Sequence, residues 1–391
     1  CREVIALHGG LSLSDQSRVF SVGMRQRVIL ATNVAETSLT VPRGGIVIDS
    51  GLVRQTRYDR GRGALALSEI AADSAEQRRG RAGRLSEGRC WRMWSRGVNL
   101  KPHTTPEIHR ESLNTLLLAT AACGVELAQL SLLDPPKERA LNDAQQVLNG
   151  LGAIDEHGTL SSCGRALFSL GIDLTLGRWL IEGLEAGDTD LRDQLIDLVS
   201  GLSCSKRLFL SGRPADPNDE LRDRGCDAIG VIRAMRIPLR EAQRYHLDPL
   251  SVREAREHRT RLLRGLQIDH QRRDHEEKIN RRSLALALMR ADQRSVYVLR
   301  ERKRQASAWV GLGPEMSLGR ETALSLELSE SPRHKVEALF ALDSHASAKS
   351  GRAAEHRVTL SMPLELDWLK QATLGEERLG EATLKRGKLR V

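Results

Sequence analysis

Four arginines and two glycines crowd into eleven residues, Ser74-Ala75-Glu76-Gln77-Arg78-Arg79-Gly80-Arg81-Ala82-Gly83-Arg84. Ser74 and Gln77 have the spacing of a capping box, so a helix is expected to begin here. On that helix Gln77, Arg81 and Arg84 fall at i, i+4 and i+7, along one face. A helix N-terminus favours anions, and guanidinium forks match phosphate oxygens. The chemistry expected is therefore the holding of a polyphosphate. Arginines so placed stabilise charge on a transferred γ-phosphoryl group, an effect of roughly 10³–10⁵ in rate. A solvated basic helix is the plain alternative, and the regular spacing of glutamine, glycine and arginine argues against it.

A second segment, Ala31-Thr32-Asn33-Val34-Ala35-Glu36-Thr37-Ser38-Leu39-Thr40, offers hydroxyl, amide and main-chain donors. Such groups grip a sugar-phosphate backbone without reading bases. Taken alone it reads equally as an N-cap and first helical turn.

The elements that must position these groups are short apolar runs, Val4–Leu7, Val28–Ala31 and Ile46–Ile48, expected as buried parallel strands. Each leads into polar or small residues: His8-Gly9-Gly10, Thr32-Asn33 and Asp49-Ser50-Gly51. In open parallel sheets ligands bind at the carboxyl ends of strands, so these loops are expected on one rim. Ser12 and Asp15 predict a short helix through Phe20. Leu52–Tyr58 and Ala64–Ile70 flank a Gly-rich turn and predict a hairpin whose Arg54, Arg57, Arg60 and Arg62 suit a cationic finger and equally a solvated hairpin.

From Thr105-Pro106 the pattern turns helical. Leu141, Ala144, Val147, Leu148 and Leu151 mark an amphipathic helix ended by Gly152. Helical character is expected to about residue 245, broken by a loop over Ser211–Asn218. An arginine-rich stretch then runs over 251–284, as a basic helical linker. Five strands, Ser295–Arg300, Ala306–Leu312, Thr322–Ser329, Lys335–Ala341 and Arg357–Met362, suggest a small β-barrel.

With the spacing His8-Gly9-Gly10-Leu11-Ser12, then Thr32–Thr40, then Gln77–Arg84, the chain resembles the second RecA-like domain of superfamily 2 DEAH-box helicases, in the order of motifs IV, V and VI. Gly88–Trp94 resembles the strand after motif VI. Pro106–Arg110 and Leu133–Pro136 are similar to a winged-helix segment. Leu151–Ile154 and Gly164–Ala166 are similar to a ratchet-like helical bundle. Ser361–Leu364 looks most like the bacterial HrpB branch. The resemblance implies an α/β RecA-like domain at 1–100, winged-helix-like residues at 101–140 and a helical bundle at 141–250. Residues 285–391 would then hold an OB-like barrel and the start of an HrpB-type C-terminal region.

It also implies roles. Arg81 and Arg84 would be arginine fingers. Gln77 would bind phosphate or the attacking water, with Arg78 in support. Ser38 and Thr40 would face the nucleotide. Thr32, Asn33 and Thr37, with His8 and Gly9, would touch the nucleic-acid backbone. Phe20 aligns with an adenine-stacking aromatic and equally suits a core. Pro42 stands where many eukaryotic relatives carry an acidic residue near the ribose. The hairpin carrying Arg57, Arg60 and Arg62 would separate strands. ATP with Mg²⁺ is the implied cofactor, and single-stranded or duplex nucleic acid, RNA before DNA, the implied partner.

The sequence contains no G-x-x-x-x-G-K-[ST], so the phosphate cradle and the Mg²⁺ ligands are expected in a first RecA-like domain outside it. Asp155-Glu156-His157-Gly158 imitates the acidic box of such a domain. It follows an amphipathic helix rather than a buried strand and reads as a polar turn. The start at Cys1, almost inside a strand pattern, is read as truncated, and the C-terminus is expected to stop short as well.

Composition agrees without deciding. Net charge is +9, with the excess mainly arginine, which suits phosphate partners. Aromatics are only 3%, so cores must rest on Leu, Ala, Val and Ile. The six cysteines form no C-x-x-C pair, which argues against zinc or disulfide frameworks and for a reducing cytoplasm. No apolar run has the length of a membrane span. A non-catalytic nucleic-acid-binding adaptor descended from a helicase is the competing reading. The intact Gln77–Arg84 segment weighs against it, since binding alone needs no arginine fingers.

Overall fold

The computed structural model describes residues 3–9, 11, 13–21, 26–37, 45–59, 62–84, 87–204, 206–210, 221, 223, 225–269, 278–300, 308–330, 336–348, 355–374, 383–385 and 388–390. They fall into two compact units. One is built chiefly on Cys1–Ser112; the other takes Leu113–Ser131 and most of the chain after Glu138. The segment expected as winged-helix-like is thus shared, because Leu132–Lys137 belongs with the first unit.

The first unit is α/β. Strand β1 (Glu3–Leu7) leads through helix α1 (Leu13–Ser17) to β2 (Arg27–Ala31), which pairs with it in parallel, Leu7 opposite Ala31. A single turn, α2 (Val34–Thr37), follows. Strand β3 (Ile46–Asp49) runs into the hairpin of β4 (Leu52–Asp59) and β5 (Arg62–Glu69). Helix α3 (Ala72–Ala82) then leads to β6 (Arg89–Arg92), parallel to β3. The expectation of fully buried strands needs correction. Ile5 and Leu7 pack with Val19, but Val4, Val28, Leu30, Ile46, Ile48 and Trp91 lie exposed on the other side of their strands. The burial follows the two-residue period of a strand covered on one face.

The hairpin forms as expected. Asp59 pairs with Arg62, which leaves a two-residue connection whose residues, Arg60 and Gly61, lie outside the described ones. Its base is pinned by a cluster of Val53, Ile70 and Ala75 against Trp94 and Leu100. Gly51 enters the hairpin at φ +73°, and a Cβ there would sit 2.7 Å from the Trp94 ring. Only glycine meets both conditions without strain.

The helix expected from Thr105-Pro106 is delayed past the end of the first unit's main segment. One 3₁₀ turn, Glu107–His109, is followed by a break, and helix α4 (Asn114–Ala122) begins where the apolar spacing begins. Helix α5 (Glu138–Gly150) buries Ala144 and Leu148, and Gly152 beyond it takes φ +68°. Asp155–Gly158 is a polar turn closed by the Ile154–Leu160 bridge. The Asp155 carboxylate accepts the amides of His157 and Thr159, bonds that hold its pKa below the ordinary value.

Helices α6 (Ser162–Leu170), α7 (Leu174–Glu185), α8 (Thr189–Leu202) and α9 (Asp227–Arg236) continue the helical region. Helix α10 (Pro249–Gly265) gives the arginine-rich stretch the helical start expected of it. It buries Val252, Ala255, Leu262 and Leu263 in the same core as α8 and α9. Its arginines are not all solvated either. Arg259 and, from α9, Arg236 both donate to the buried Asp197 of α8, at 2.7 and 2.8 Å. Helix α11 (Arg281–Ala291) completes that core.

A closed five-stranded barrel follows. Strands β7 (Val296–Arg300), β8 (Ala308–Gly311), β9 (Met316–Leu318), β10 (Ala338–Ala348) and β11 (Glu355–Leu364) take the order β11-β9-β8-β7-β10, and β10 pairs back to β11. Four of the five expected strand regions hold. Thr322–Ser329 does not: it is helix α12 (Ala323–Glu330), and the missing strand is the short β9. Alternation over so short a run is ambiguous, and Ala, Leu and Glu favour helix. The Thr322 hydroxyl accepts the Ser325 amide, the bond of an N-cap. Barrel and helices share one core, in which Trp179 meets Phe340 edge to face at 5.3 Å. Helix α13 (Leu366–Gln371) and the hairpin of β12 (Thr383–Lys385) and β13 (Lys388–Arg390) end the chain. Among the described residues no helix is long and apolar enough to cross a membrane.

Candidate nucleotide and nucleic-acid site

The parallel pairing of β1 with β2 sets two of the expected loops side by side. The Thr32 amide donates to the Leu7 carbonyl at 3.0 Å, so Thr32 and Asn33 lie next to His8 and Gly9, all four exposed. Helix α2 starts there, with the Ala35 and Glu36 amides closing onto the Thr32 and Asn33 carbonyls. Val34 and Ala35 pack on the small core of Ile5, Leu7 and Val19. Phe20 follows Val19 and is half-buried. Thr37 is the last residue of α2, whereas Ser38 and Thr40 lie outside the described residues. Arg57 and Arg62 sit on the hairpin strands, opposite Ala64 and Asp59.

Helix α3 carries the arginines, but its start differs from the capping-box expectation. It begins at Ala72, two residues before Ser74, and no side chain caps it. Main-chain carbonyls take the capping role instead. The Ala72 amide donates to Lys101, the Asp73 amide to Pro102, and the Ser74 amide to the Asp73 carboxylate. Its first-turn amides are therefore engaged within the protein. Anion affinity must come from side chains further along, not from the helix end.

Those side chains sort by face. Ser74, Ala75 and Ala82 are buried, and Arg78, on the same side, is mostly covered. Gln77 is exposed, Arg81 a turn later is half-buried, and Arg84 is exposed just beyond the helix. The expected line of Gln77, Arg81 and Arg84 thus lies on the helix for its first two members only.

Arg78, expected in support of the site, is turned toward carboxylates of its own chain. Its Nε donates to Glu36 Oε2 at 3.0 Å, and its Nη1 to Asp49 Oδ1 at 2.8 Å and to the Leu52 carbonyl at 3.2 Å. Burial works against its proton, but the bonds to Asp49 and Glu36 outweigh that, so Arg78 holds its proton more tightly than an ordinary arginine. The Ser74 hydroxyl donates to the other Glu36 oxygen. Asp49 also accepts the Gly51 amide at 3.0 Å, while its Oδ2 is buried without a hydrogen-bond partner. Arg79, by contrast, is exposed and bonded to Glu76, which Arg92 also reaches.

Glu36, Asp49 and Ser74 were not singled out by residue type alone. The available signal was a carboxylate at the end of each of two strand segments, one turn from an arginine-rich helix. The outcome is that Glu36 after β2 and Asp49 at the end of β3 both meet α3 at Arg78, with Arg81 and Arg84 further along that segment. Guanidinium groups so placed fit the charge of a polyphosphate. Among the described residues no cluster of three metal-ligating side chains occurs.

Residues 2–86 match the family model described as the helicase conserved C-terminal domain. The ATP-dependent RNA helicase HrpA of Escherichia coli is 39% identical over 195 residues, which are 47% of this chain and 15% of that protein. The probable ATP-dependent RNA helicase DHX34 of Homo sapiens is 37% identical over 188 residues, 46% of this chain and 16% of that protein. The crystal structure of the E. coli DExH-box NTPase HrpB superposes with a TM-score of 0.69 at 25% identity, covering 95% of this chain and 40% of that one. The chain therefore spans well under half the length of these relatives.

Proposed function

Because this chain carries the C-terminal RecA-like domain of a DEAH-box helicase, HrpB-like in its fold, we propose that it supplies the arginine-finger side of a nucleotide site and one wall of a nucleic-acid path in an ATP-dependent RNA helicase. The observation that carries this reading is the sorting on α3. Arg78 is held inward by two carboxylates, while Gln77 and, beyond the helix, Arg84 are exposed and Arg81 is half-buried.

In this reading ATP is gripped by a first RecA-like domain, which also supplies the Mg²⁺ ligands. Arg81 and Arg84 meet the charge that develops on the γ-phosphoryl oxygens, and Gln77 orients phosphate or the attacking water. Ser38 and Thr40 lie on the nucleotide side. Thr32, Asn33 and Thr37, with His8 and Gly9, hold the sugar-phosphate backbone, so sequence preference is weak and salt dependence strong. The hairpin of β4 and β5 parts the strands. Winged-helix, ratchet and OB-like roles for residues 101–140, 141–250 and 285–391, and a cytoplasmic location, belong to the same proposal.

Steady-state ATPase of the complete natural polypeptide, with single substitutions Arg81→Ala and Arg84→Ala, tests it. Each is expected to lower kcat by roughly 10³-fold or more, with RNA affinity within about threefold of wild type. The 391-residue chain by itself is expected to hydrolyse ATP negligibly. Wild-type turnover in both variants removes the assignment and favours the adaptor reading.

A further inference from the structure

The hairpin of β4 and β5 takes a third strand from far along the chain. The end of β10 runs parallel to β5, with Ser347 opposite Leu65 and Ala348 opposite Ala66. These two residues fall within Ala346–Ala354, which is part of the first unit together with the hairpin. β5 therefore has a neighbour on each side, β4 on one and the end of β10 on the other. The pairing falls well above the hairpin's base, which Val53, Ile70 and Ala75 pin by their side chains. Leu65 is four residues from the end of β5 at Glu69, roughly 13 Å along a strand that rises about 3.3 Å per residue. A two-stranded hairpin alone is at best marginally stable in water, and a third strand both stiffens it and closes an open edge.

We propose that Ser347–Ala348 is a positioning segment for strand separation: it gives the outer half of the hairpin a main-chain brace, so that the hairpin keeps its shape against a duplex. The part concerning unwinding rests on the helicase reading above; the brace itself does not. Successive residues of a strand point their amides to opposite sides. Only one of Leu65 and Ala66 therefore bonds to β4 in the antiparallel ladder, and the other turns its amide and carbonyl toward β10. Likewise only one of Ser347 and Ala348 turns its amide toward β5. Proline at that position removes the donor, whereas proline at the other leaves the pairing with β5 in place.

Residue-resolved amide hydrogen exchange of the 391-residue chain tests the brace. Slow exchange is expected at both Leu65 and Ala66. Of Ser347→Pro and Ala348→Pro, one is expected to speed exchange over β5 by about tenfold or more, while the other does not. Free exchange at one of Leu65 and Ala66 in the wild type overturns the proposal, since that is the pattern of a two-stranded hairpin, and this comparison needs no variant to fold. Equal acceleration by both prolines, or by neither, overturns it too. In the complete natural polypeptide the disruptive variant is expected to unwind an RNA duplex about fivefold or more slowly, with poly(U)-stimulated ATPase within about twofold of wild type. Unchanged unwinding, or unwinding and ATPase lost together, overturns the positioning role. A wild type that neither hydrolyses ATP nor unwinds contradicts the helicase reading instead, while the exchange pattern still decides the brace, so the two failures are distinguishable.

Discussion

Arg78 and Arg79 are neighbours in sequence and opposites in environment. Arg78 bridges two carboxylates, one of them buried, while Arg79 meets Glu76 in solvent. Removing one partner of a buried ionic group leaves uncompensated charge, which costs about 3–5 kcal/mol. Arg78→Ala is therefore expected to lower the stability of the first unit by about that amount, whereas Arg79→Ala stays within about 0.5 kcal/mol, as exposed pairs do. Urea unfolding of the two variants checks this, and equal losses would mean that the Glu36–Arg78–Asp49 connection is not formed in solution. At this scale the sequence was legible in kind but not in direction. Arginine type and spacing pointed to phosphate, yet which arginine turns inward depended on carboxylates 42 and 29 residues away along the chain.

At the scale of elements, α3 is started by its neighbour segment rather than by its own residues. Asp73 binds the Thr104 amide at 2.9 Å and the Thr104 hydroxyl at 3.1 Å, besides the Ser74 amide. Burial pushes its pKa up, but those hydrogen bonds and His103 outweigh that and leave it below the ordinary carboxylate value. A carboxylate lowered in the folded state adds stability that is present above its unfolded pKa and lost as pH falls through the folded one. Asp73→Asn is thus expected to destabilise the first unit at pH 7, with the gap to wild type closing below about pH 4. Urea midpoints at both pH values measure it; a gap that is the same at pH 7 and pH 3 contradicts the role. The same scale explains the sequence misreadings. The period of α5 was clear because a full amphipathic face repeats over Leu141–Leu151. α12 was taken for a strand because alternation over Thr322–Ser329 spans too few residues to separate the two periods. The capping role of Lys101 and Pro102 carbonyls is a tertiary contact that no local motif announces.

For the whole molecule, the sequence revealed the α/β start, the helical middle and the β-rich end, since each has its own apolar period. It did not reveal how they combine. α10 enters the core with α8 and α9, its Arg259 completing a buried group on Asp197 with Arg236. The barrel shares that core through Phe340 against Trp179. Likewise the buried Asp227 of α9 accepts the amides of Ala323 and Ser361, so a helix, the start of α12 and a barrel strand meet on one carboxylate. Under the proposed function, the chemistry would be complete only when phosphate held elsewhere reaches Arg81 and Arg84. The most direct measurement is the affinity of the complete natural polypeptide for ADP with aluminium fluoride, a mimic of the transferring phosphoryl group, against ADP alone. Arg81→Ala and Arg84→Ala are predicted to weaken the mimic by about 100-fold or more while ADP changes by less than about threefold, since interactions made only in the transition state are lost. Equal affinities for the mimic in wild type and both variants would contradict the account.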